Sequence, residues 1–468
     1  MTSRQQDIQL PALEEIVGQL AEYVSLPSIS RSAGIDTMQE TAEWLAHRLA
    51  FAGGRVEPTA GFPVVRAEWT AGPDAPVVLV YGHYDVQPTG SLDEWVTPPF
   101  DLAADVQAGE HVLRGRGVSD DKGPVLLVVR LAEAFLAQTG SLPLTVKFLI
   151  EGEEEIGSPN LAAYVAEHQA DLACDLVISA DGAQWRPGEP SLSIASKGLV
   201  SMDVVVRGAD SDLHSGRFGG TVANPARALS TLLASLHDES GRVDIAGFYD
   251  GVDDPSPERR AEIGRVPFDE RDYVIGLGIP AVYGEVGFST LERLWERPTL
   301  EITGISSGGK YSVIPHIATA HLSARLVGRQ DPDLVAAAVE RHLREHRLAG
   351  VTTEVIIDAA RVPAYRIDAG HPAIRAASAA LNHVYPGEEV LLAVIAGTLP
   401  ASTLFEQALG AKTLFFSFST SDENLHAPNE FLRRGRIHEG MRAWERLWWL
   451  LAEGPHRLER NPCRLGHP

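Results

Sequence analysis

The 468-residue chain reads as a two-domain α/β protein. A mixed or parallel sheet covered by helices is carried by residues 1–197 and 363–468, and a smaller α+β unit is inserted over 198–362. Three observations lead there. Short apolar runs alternate with helical patterns up to Asp181 and again after Pro363. Between them the order becomes strand, helix, strand, strand, helix, strand, beginning with the half-exposed alternation of 201–207. Finally, acids or histidines follow several of the apolar runs, and α/β sheets hold their ligands beyond the carboxyl ends of their strands.

Taken in order, Leu13, Ile16, Val17, Leu20 and Val24 recur at helical spacing, and Pro27 stops that helix. Thr37-Met38-Gln39-Glu40 has the pattern of a capping box opening a second helix, which Gly53-Gly54 ends. Residues 63–70 predict a strand, and the unbroken apolar run 75–81 predicts one buried on both faces. A helix rich in Val and Leu runs to about Gln138. The run 144–150 is again a buried strand, 161–168 a short helix, and 175–179 a strand. In the inserted unit, Asn224-Pro225 caps a helix to Leu236, and 241–299 reads as turn-rich and uneven. A strand over 319–328 contains Arg325, Asp331-Pro332 opens a helix, and 352–357 is the last strand. The chain returns at Arg361-Val362-Pro363. Helices then cover 372–383 and 403–409, with an apolar strand over 412–419. A final helix over 432–451 carries Trp444, Trp448 and Trp449, a stripe that reads as core.

Composition narrows the function. Hydrophobic residues are 44% and charged residues 22%, an ordinary soluble balance. Forty Lys+Arg against 63 Asp+Glu give a net charge of −23, which argues against nucleic acid or an anionic membrane as partner. No apolar run reaches the length of a membrane span, and no signal peptide is seen. The two cysteines, Cys174 and Cys463, exclude a Cys-rich zinc site and make a disulfide framework unexpected. These features suggest a cytoplasmic enzyme or binding protein.

Five places could bear chemistry. Directly after the run 75–81 comes Gly82-His83-Tyr84-Asp85, where period two points His83 and Asp85 the same way. Gly115-Arg116-Gly117-Val118-Ser119-Asp120-Asp121-Lys122-Gly123 sets glycines around two acids before a helix, without the Gly-Lys-Ser/Thr of a phosphate loop. Glu151-Gly152-Glu153-Glu154-Glu155 puts four acids in five positions at a strand end. Asp181 follows another strand, and His426 lies in Ser421-Asp422-Glu423-Asn424-Leu425-His426-Ala427-Pro428-Asn429-Glu430. Each alone reads as a turn or a helix cap. Together, two histidines and several carboxylates suit a pair of divalent cations such as zinc, manganese or cobalt. One acid is left over to act as a base.

These motifs, in this order, resemble those of the M20 metallopeptidases, which include carnosinase-like dipeptidases and aminoacylases. Asp212-Leu213-His214-Ser215-Gly216 with Gly219-Gly220, and the chain length, look most like the carnosinase-type dipeptidase branch. The resemblance implies a catalytic domain, with the insert as a lid that also forms the surface of a homodimer. It implies that Asp120 bridges two metals, most simply zinc, and is joined to Asp121 by a cis peptide. His83 and Asp181 would hold one metal, and Glu155 and His426 the other. Asp85 would orient His83. Glu154 would be the general base, moving a proton from the attacking water to the leaving amine. His214 would reach the partner subunit's site to stabilise the oxyanion. Arg325 would bind the terminal carboxylate of a small peptide, aided by Ser312, Gly397 and Thr398.

One departure stands out: where relatives carry Gly-Gly-Ser-Ile-Pro, this chain has Ala396-Gly397-Thr398-Leu399-Pro400, whose extra methyls would narrow the pocket. The implied activity is two-metal hydrolysis of dipeptides or short peptides with a free carboxyl end. Hydrolysis of N-acyl or N-carbamoyl amino acids is the alternative in the same fold, and a catalytically silent metal-binding scaffold the alternative outside it.

Overall fold

Seven successive buried residues, Val77–His83, form the strand on which the first unit is built. Apolar side chains on both its faces need cover on both sides. The computed structural model describes residues 7–309, 311–453, 456–458, 460 and 461. In it this strand lies inside a six-stranded sheet, in the order Arg55–Glu57, Val64–Trp69, Thr145–Glu151, Val77–His83, Leu176–Ser179, Thr413–Phe415. Thr145–Glu151 and Leu176–Ser179 flank it in parallel, and Thr413–Phe415 extends the parallel part. Val64–Trp69 is antiparallel to Thr145–Glu151, and Arg55–Glu57 to Val64–Trp69, so the sheet is mixed. The first parallel strand in sequence thus sits between the second and the third. That reversal of winding opens a crevice beyond the carboxyl ends.

Helices cover both faces of this sheet. Val77, Leu79 and Tyr81 pack with Leu161, Val165, Phe405 and Leu409 from helices Leu161–Glu167 and Pro400–Leu409. On the opposite face Gly82 lets helix Lys122–Thr139 come close, since a Cβ there would meet Val125 Cγ2 at 2.6 Å. The final helix, Arg434–Ala452, packs on that helix, with Phe135 and Trp448 ring centroids 5.8 Å apart. Trp444 and Trp448 are buried and Trp449 is half-buried, so the stripe is core.

The second unit comprises Ala195–Arg366 with Val394–Leu399. Its antiparallel sheet runs Thr299–Ser307, Ile317–Leu326, Gly198–Arg207, Thr352–Val362. Strict alternation in Ile317–Leu326 turns Ala318, Ala320, Leu322, Ala324 and Leu326 inward. They pack with the inner faces of helices Pro225–Ala234 and Pro332–Glu345. Arg325 is therefore left on the other face of the sheet.

Several expectations need correction. Helix Ile35–Arg48 starts after Gly34 without a side-chain cap, so Thr37 lies inside the helix and forms no capping box. The stretch 241–299 contains the helices Pro257–Ile263, Glu270–Leu277 and Thr290–Glu296. Each is short and capped by Ser256, Asp269 or Ser289, and too little apolar periodicity marks it in the sequence. The hairpin Ala103–Gln107 with Glu110–Arg114, joined by Phe431–Arg433, has no counterpart among the sequence expectations, nor have strands Ser191–Ser196 and Leu391–Ile395. The segment Val394–Leu399, expected with residues 363–468, groups with the inserted unit. The Lys197 amide donates to Ile395 O and Gly397 O at 3.2 and 2.9 Å, and Arg325 donates to Thr398 Oγ1 at 2.7 Å. Cys174 is buried, while Cys463 lies outside the described residues. No described helix is long and apolar enough to cross a membrane.

Candidate metal centre

The carboxyl ends of the parallel strands bring the motifs of the first unit together. His83 ends its strand opposite Glu151, Glu154 and Glu155 follow Thr145–Glu151, and Asp181 follows Leu176–Ser179. The loop after Thr413–Phe415 supplies His426. Asp120 comes from the turn before helix Lys122–Thr139, and its bond to Asp121 is cis.

The donor atoms fall into two triads, His83, Asp120 and Asp181 in one and Asp120, Glu155 and His426 in the other, with the atoms of each within 4.8 Å of one another. Asp120 belongs to both, offering one oxygen to each side. Its Oδ1 lies 3.0 Å from His83 Nε2 and its Oδ2 lies 2.9 Å from His426 Nε2. His426 Nε2 is also 3.4 Å from Glu155 Oε2.

The chemistry of this donor set suits divalent cations. His83 Nδ1 donates to the Asp85 carbonyl at 3.0 Å, which leaves Nε2 as a lone pair facing a carboxylate. Lone pairs that converge on carboxylate oxygens need a cation between them, either a proton or a metal. The proton balance records that need. Burial would pull His83 down, but hydrogen bonds to Asp120 and Asp85 hold it well above the usual histidine range. His426 is pushed up to about 9 by its hydrogen bond to Asp120. Burial would raise Asp120, yet hydrogen bonds from His426 and His83 hold it well below the carboxylate range. Burial, with Asp120 as next neighbour, pushes Glu155 up to about 8 and Asp181 up to about 6. Burial raises Glu154 well above its usual value. Among the described residues no Lys or Arg pairs with these acids. Two imidazoles and three carboxylates without a thiolate match borderline-hard divalent ions.

Surrounding residues fix these side chains. Asp85 is fully buried; it lies 3.4 Å from His83 Nδ1 and accepts from the Glu154 and Glu155 amides at 3.2 and 3.1 Å. Gln87 donates to Glu155 Oε2 at 2.7 Å. Glu430, fully buried, ties the two loops together. Its Oε1 accepts from the Ser119 and Asp120 amides at 2.9 and 3.0 Å, and its Oε2 from Gly117 N and Arg116 Nη1 at 2.8 and 2.9 Å. Gly117 sits at φ 78, and a Cβ there would meet Val86 Cγ1 at 2.3 Å, so only glycine fits this turn. His426 itself is left-handed at φ 61. The roles of Gln87 and Glu430 escaped the sequence reading. In the sequence Glu430 is only the end of the His426 motif, and nothing local distinguishes it from a surface acid. By contrast, Glu154 makes no side-chain hydrogen bond among the described residues, so its carboxylate is free beside the triads.

The remaining candidates lie in the second unit. His214 is exposed in the short strand Leu213–His214, paired with Val313–Ile314, and its Nδ1 accepts from Gly216 N at 3.1 Å. Ser312, also exposed, belongs to the same turn, its carbonyl accepting from Ser215 N and Oγ at 3.0 and 2.8 Å. Arg325 is joined to Thr398, with Gly397 exposed beside it.

Known proteins resemble this chain over most of its length. The family model of peptidase family M20/M25/M40 matches residues 79–449. The Cys-Gly metallodipeptidase DUG1 of Saccharomyces cerevisiae is 29% identical over 405 residues, 84% of this chain and 83% of the relative. The Beta-Ala-His dipeptidase of Rattus norvegicus is 28% identical over 389 residues, 81% of this chain and 77% of the relative. The crystal structure of the M20 family metallo-carboxypeptidase Sso-CP2 from Sulfolobus solfataricus superposes with a TM-score of 0.81 at 30% identity, covering 93% of this chain and 99% of that one. The matched stretch begins in the strand that ends at His83 and runs past His426, so it spans both triads, and the chain belongs to peptidase family M20/M25/M40 as a hydrolase of that family.

Proposed function

We propose that the protein hydrolyses dipeptides, or short peptides with a free C-terminal carboxylate, using two divalent metal ions per subunit. The observation that supports this most is the pair of triads sharing Asp120 beside the free carboxylate of Glu154. The named relatives point the same way, since dipeptidases and a carboxypeptidase all act next to a free carboxyl end. In this reading His83 and Asp181 hold one ion, Glu155 and His426 the other, and Asp120 both. Zinc is the first choice, with manganese and cobalt as alternatives. Bound ions would polarise the scissile carbonyl and lower the pKa of water.

The chain's own residues do the rest. Asp85 fixes the His83 tautomer and the backbone of Glu154 and Glu155. Glu154, free of other partners, takes a proton from the attacking water and returns it to the leaving amine. Arg325, steadied by Thr398, binds the terminal carboxylate, with Gly397 and Ser312 lining its approach. His214 donates to the developing oxyanion from the other subunit of a homodimer. Support for the dimer comes from the edge strand Thr299–Ser307, where Ile302 and Ile305 are exposed. A cytoplasmic location rests on cysteine usage, two in 468 residues. The test is direct. Chelated protein, shown metal-free by elemental analysis, should be inactive on a dipeptide panel and regain activity with zinc, manganese or cobalt. Full activity without metal would end the proposal.

A further inference from the structure

The inserted unit contains a cavity of about 640 Å³ that the metal chemistry leaves unused. Helix Thr290–Glu296, the start of strand Thr299–Ser307, Lys197, Arg325 and Ala396 line it. Its charges do not balance. Arg297 is neutralised, donating twice to Glu285 at 2.8 Å and once to Asp254 at 2.7 Å. Lys197, Arg293 and Arg325 also line the cavity, and among the described residues none of them pairs with a carboxylate.

Each of these cations is held by neutral acceptors instead. Lys197 Nζ, almost fully buried, donates to the carbonyls of Arg297 and Arg293 at 2.8 and 3.4 Å. Arg293 donates to the carbonyls of Glu285 and Tyr283 at 3.0 and 3.4 Å. Arg325 donates to the Thr398 hydroxyl. Against them stands one unpaired acid, the exposed Glu301. Partly dehydrated cations without a counter-charge favour an anionic ligand. In a chain of net charge −23, such a cluster is conspicuous.

Arg325 links the cavity to the substrate. The side chain of a C-terminal residue leaves from the carbon that bears the terminal carboxylate, so it reaches the surroundings of whatever binds that carboxylate. We infer that the cavity selects substrates whose C-terminal residue carries a second carboxylate, Asp or Glu, with Lys197 and Arg293 as its counter-charges. This inference rests on the function proposed above, in which Arg325 takes the terminal carboxylate.

The test compares Ala-Glu, Ala-Gln and Ala-Lys on the metal-loaded protein. Glu and Gln have nearly the same shape and differ in charge. We expect kcat/KM for Ala-Glu to exceed that for Ala-Gln by about tenfold or more, the scale of a charge-assisted hydrogen bond, and Ala-Lys to be the poorest. Arg293→Met should collapse the Glu/Gln ratio toward one, Arg293→Lys should restore part of it, and Glu301→Gln should raise it. Because each ratio is taken within one protein, partial unfolding of a variant leaves it unchanged. A wild-type ratio near one, or a preference for Ala-Lys, with neutral dipeptides still cleaved, overturns this inference alone. Failure to cleave any dipeptide with both metals bound overturns the proposed function and this inference with it.

Discussion

The two units hold their candidate residues in opposite ways. In the first, His83 and Asp85 are fully buried and Glu155 nearly so, and each is fixed by further hydrogen bonds from the surrounding loops. In the inserted unit His214, Ser312 and Gly397 are exposed, and among the described residues the His214 side chain keeps a single local hydrogen bond. Under the proposed function the buried set holds metal, and metal ligands must be fixed to fractions of an ångström, which burial and neighbours such as Glu430 provide. Groups that meet a substrate must stay reachable. His426 falls between the two, its side chain 57% exposed on the open side of the triads.

Four predictions probe that contrast, the largest effect first. Within the buried set, Glu154 and Glu155 should separate by role. Glu154→Gln should keep both metals while turnover falls by about 10²–10⁴-fold, the usual worth of a general base. Glu155→Gln should lose metal instead. Elemental analysis beside steady-state kinetics reads both, and the reverse outcome would mean the roles are exchanged.

From the exposed set, His214→Ala should keep its fold and metals yet lose about 10²–10³ in turnover, as for one oxyanion donor. Mixing it with Glu154→Gln under conditions of subunit exchange should recover activity toward half of wild type per dimer. In that heterodimer one site receives both defects and the other neither. No recovery despite proven exchange would place His214 in its own subunit's site.

Glu430 tests whether buried support matters as much as the ligands. Glu430→Gln turns an acceptor into a donor facing backbone amides, and should weaken metal affinity by about 10–100-fold. Unchanged affinity by competition titration would show that the Gly117 and His426 loops hold themselves.

The smallest effect lies in the inserted unit. Burial, with Arg325 pushing the same way against Glu296 and Glu301, lowers Lys197 from 10.5 to about 8. Between those pH values the unfolded chain binds the proton that the folded chain has lost. This group therefore makes unfolding free energy rise with pH from about 8 to 10.5. Chemical unfolding at several pH values should show Lys197→Met with a flatter rise than wild type, and identical slopes would refute it.

The sequence by itself determined the elements whose physics is local. Unbroken apolar runs announced the buried strands Val77–His83 and Thr145–Glu151, and the half-exposed alternation of 201–207 announced Gly198–Arg207. Acids and histidines at strand ends announced the place of the chemistry, because side-chain period and strand polarity are encoded within a few residues. The assignment of each ligand to a metal came through family resemblance. Only the tertiary structure decided what depends on residues far apart in the chain. Glu430, 310 residues from Asp120, accepts its amide and sets its loop. Val394–Leu399 joins the inserted unit through Lys197 and Arg325. Arg297 takes Glu285, and among the described residues Lys197, Arg293 and Arg325 form no ion pair with an acid, which leaves the cavity a surplus of cations. Pairing of charges is settled by distance in space, which a linear pattern does not contain.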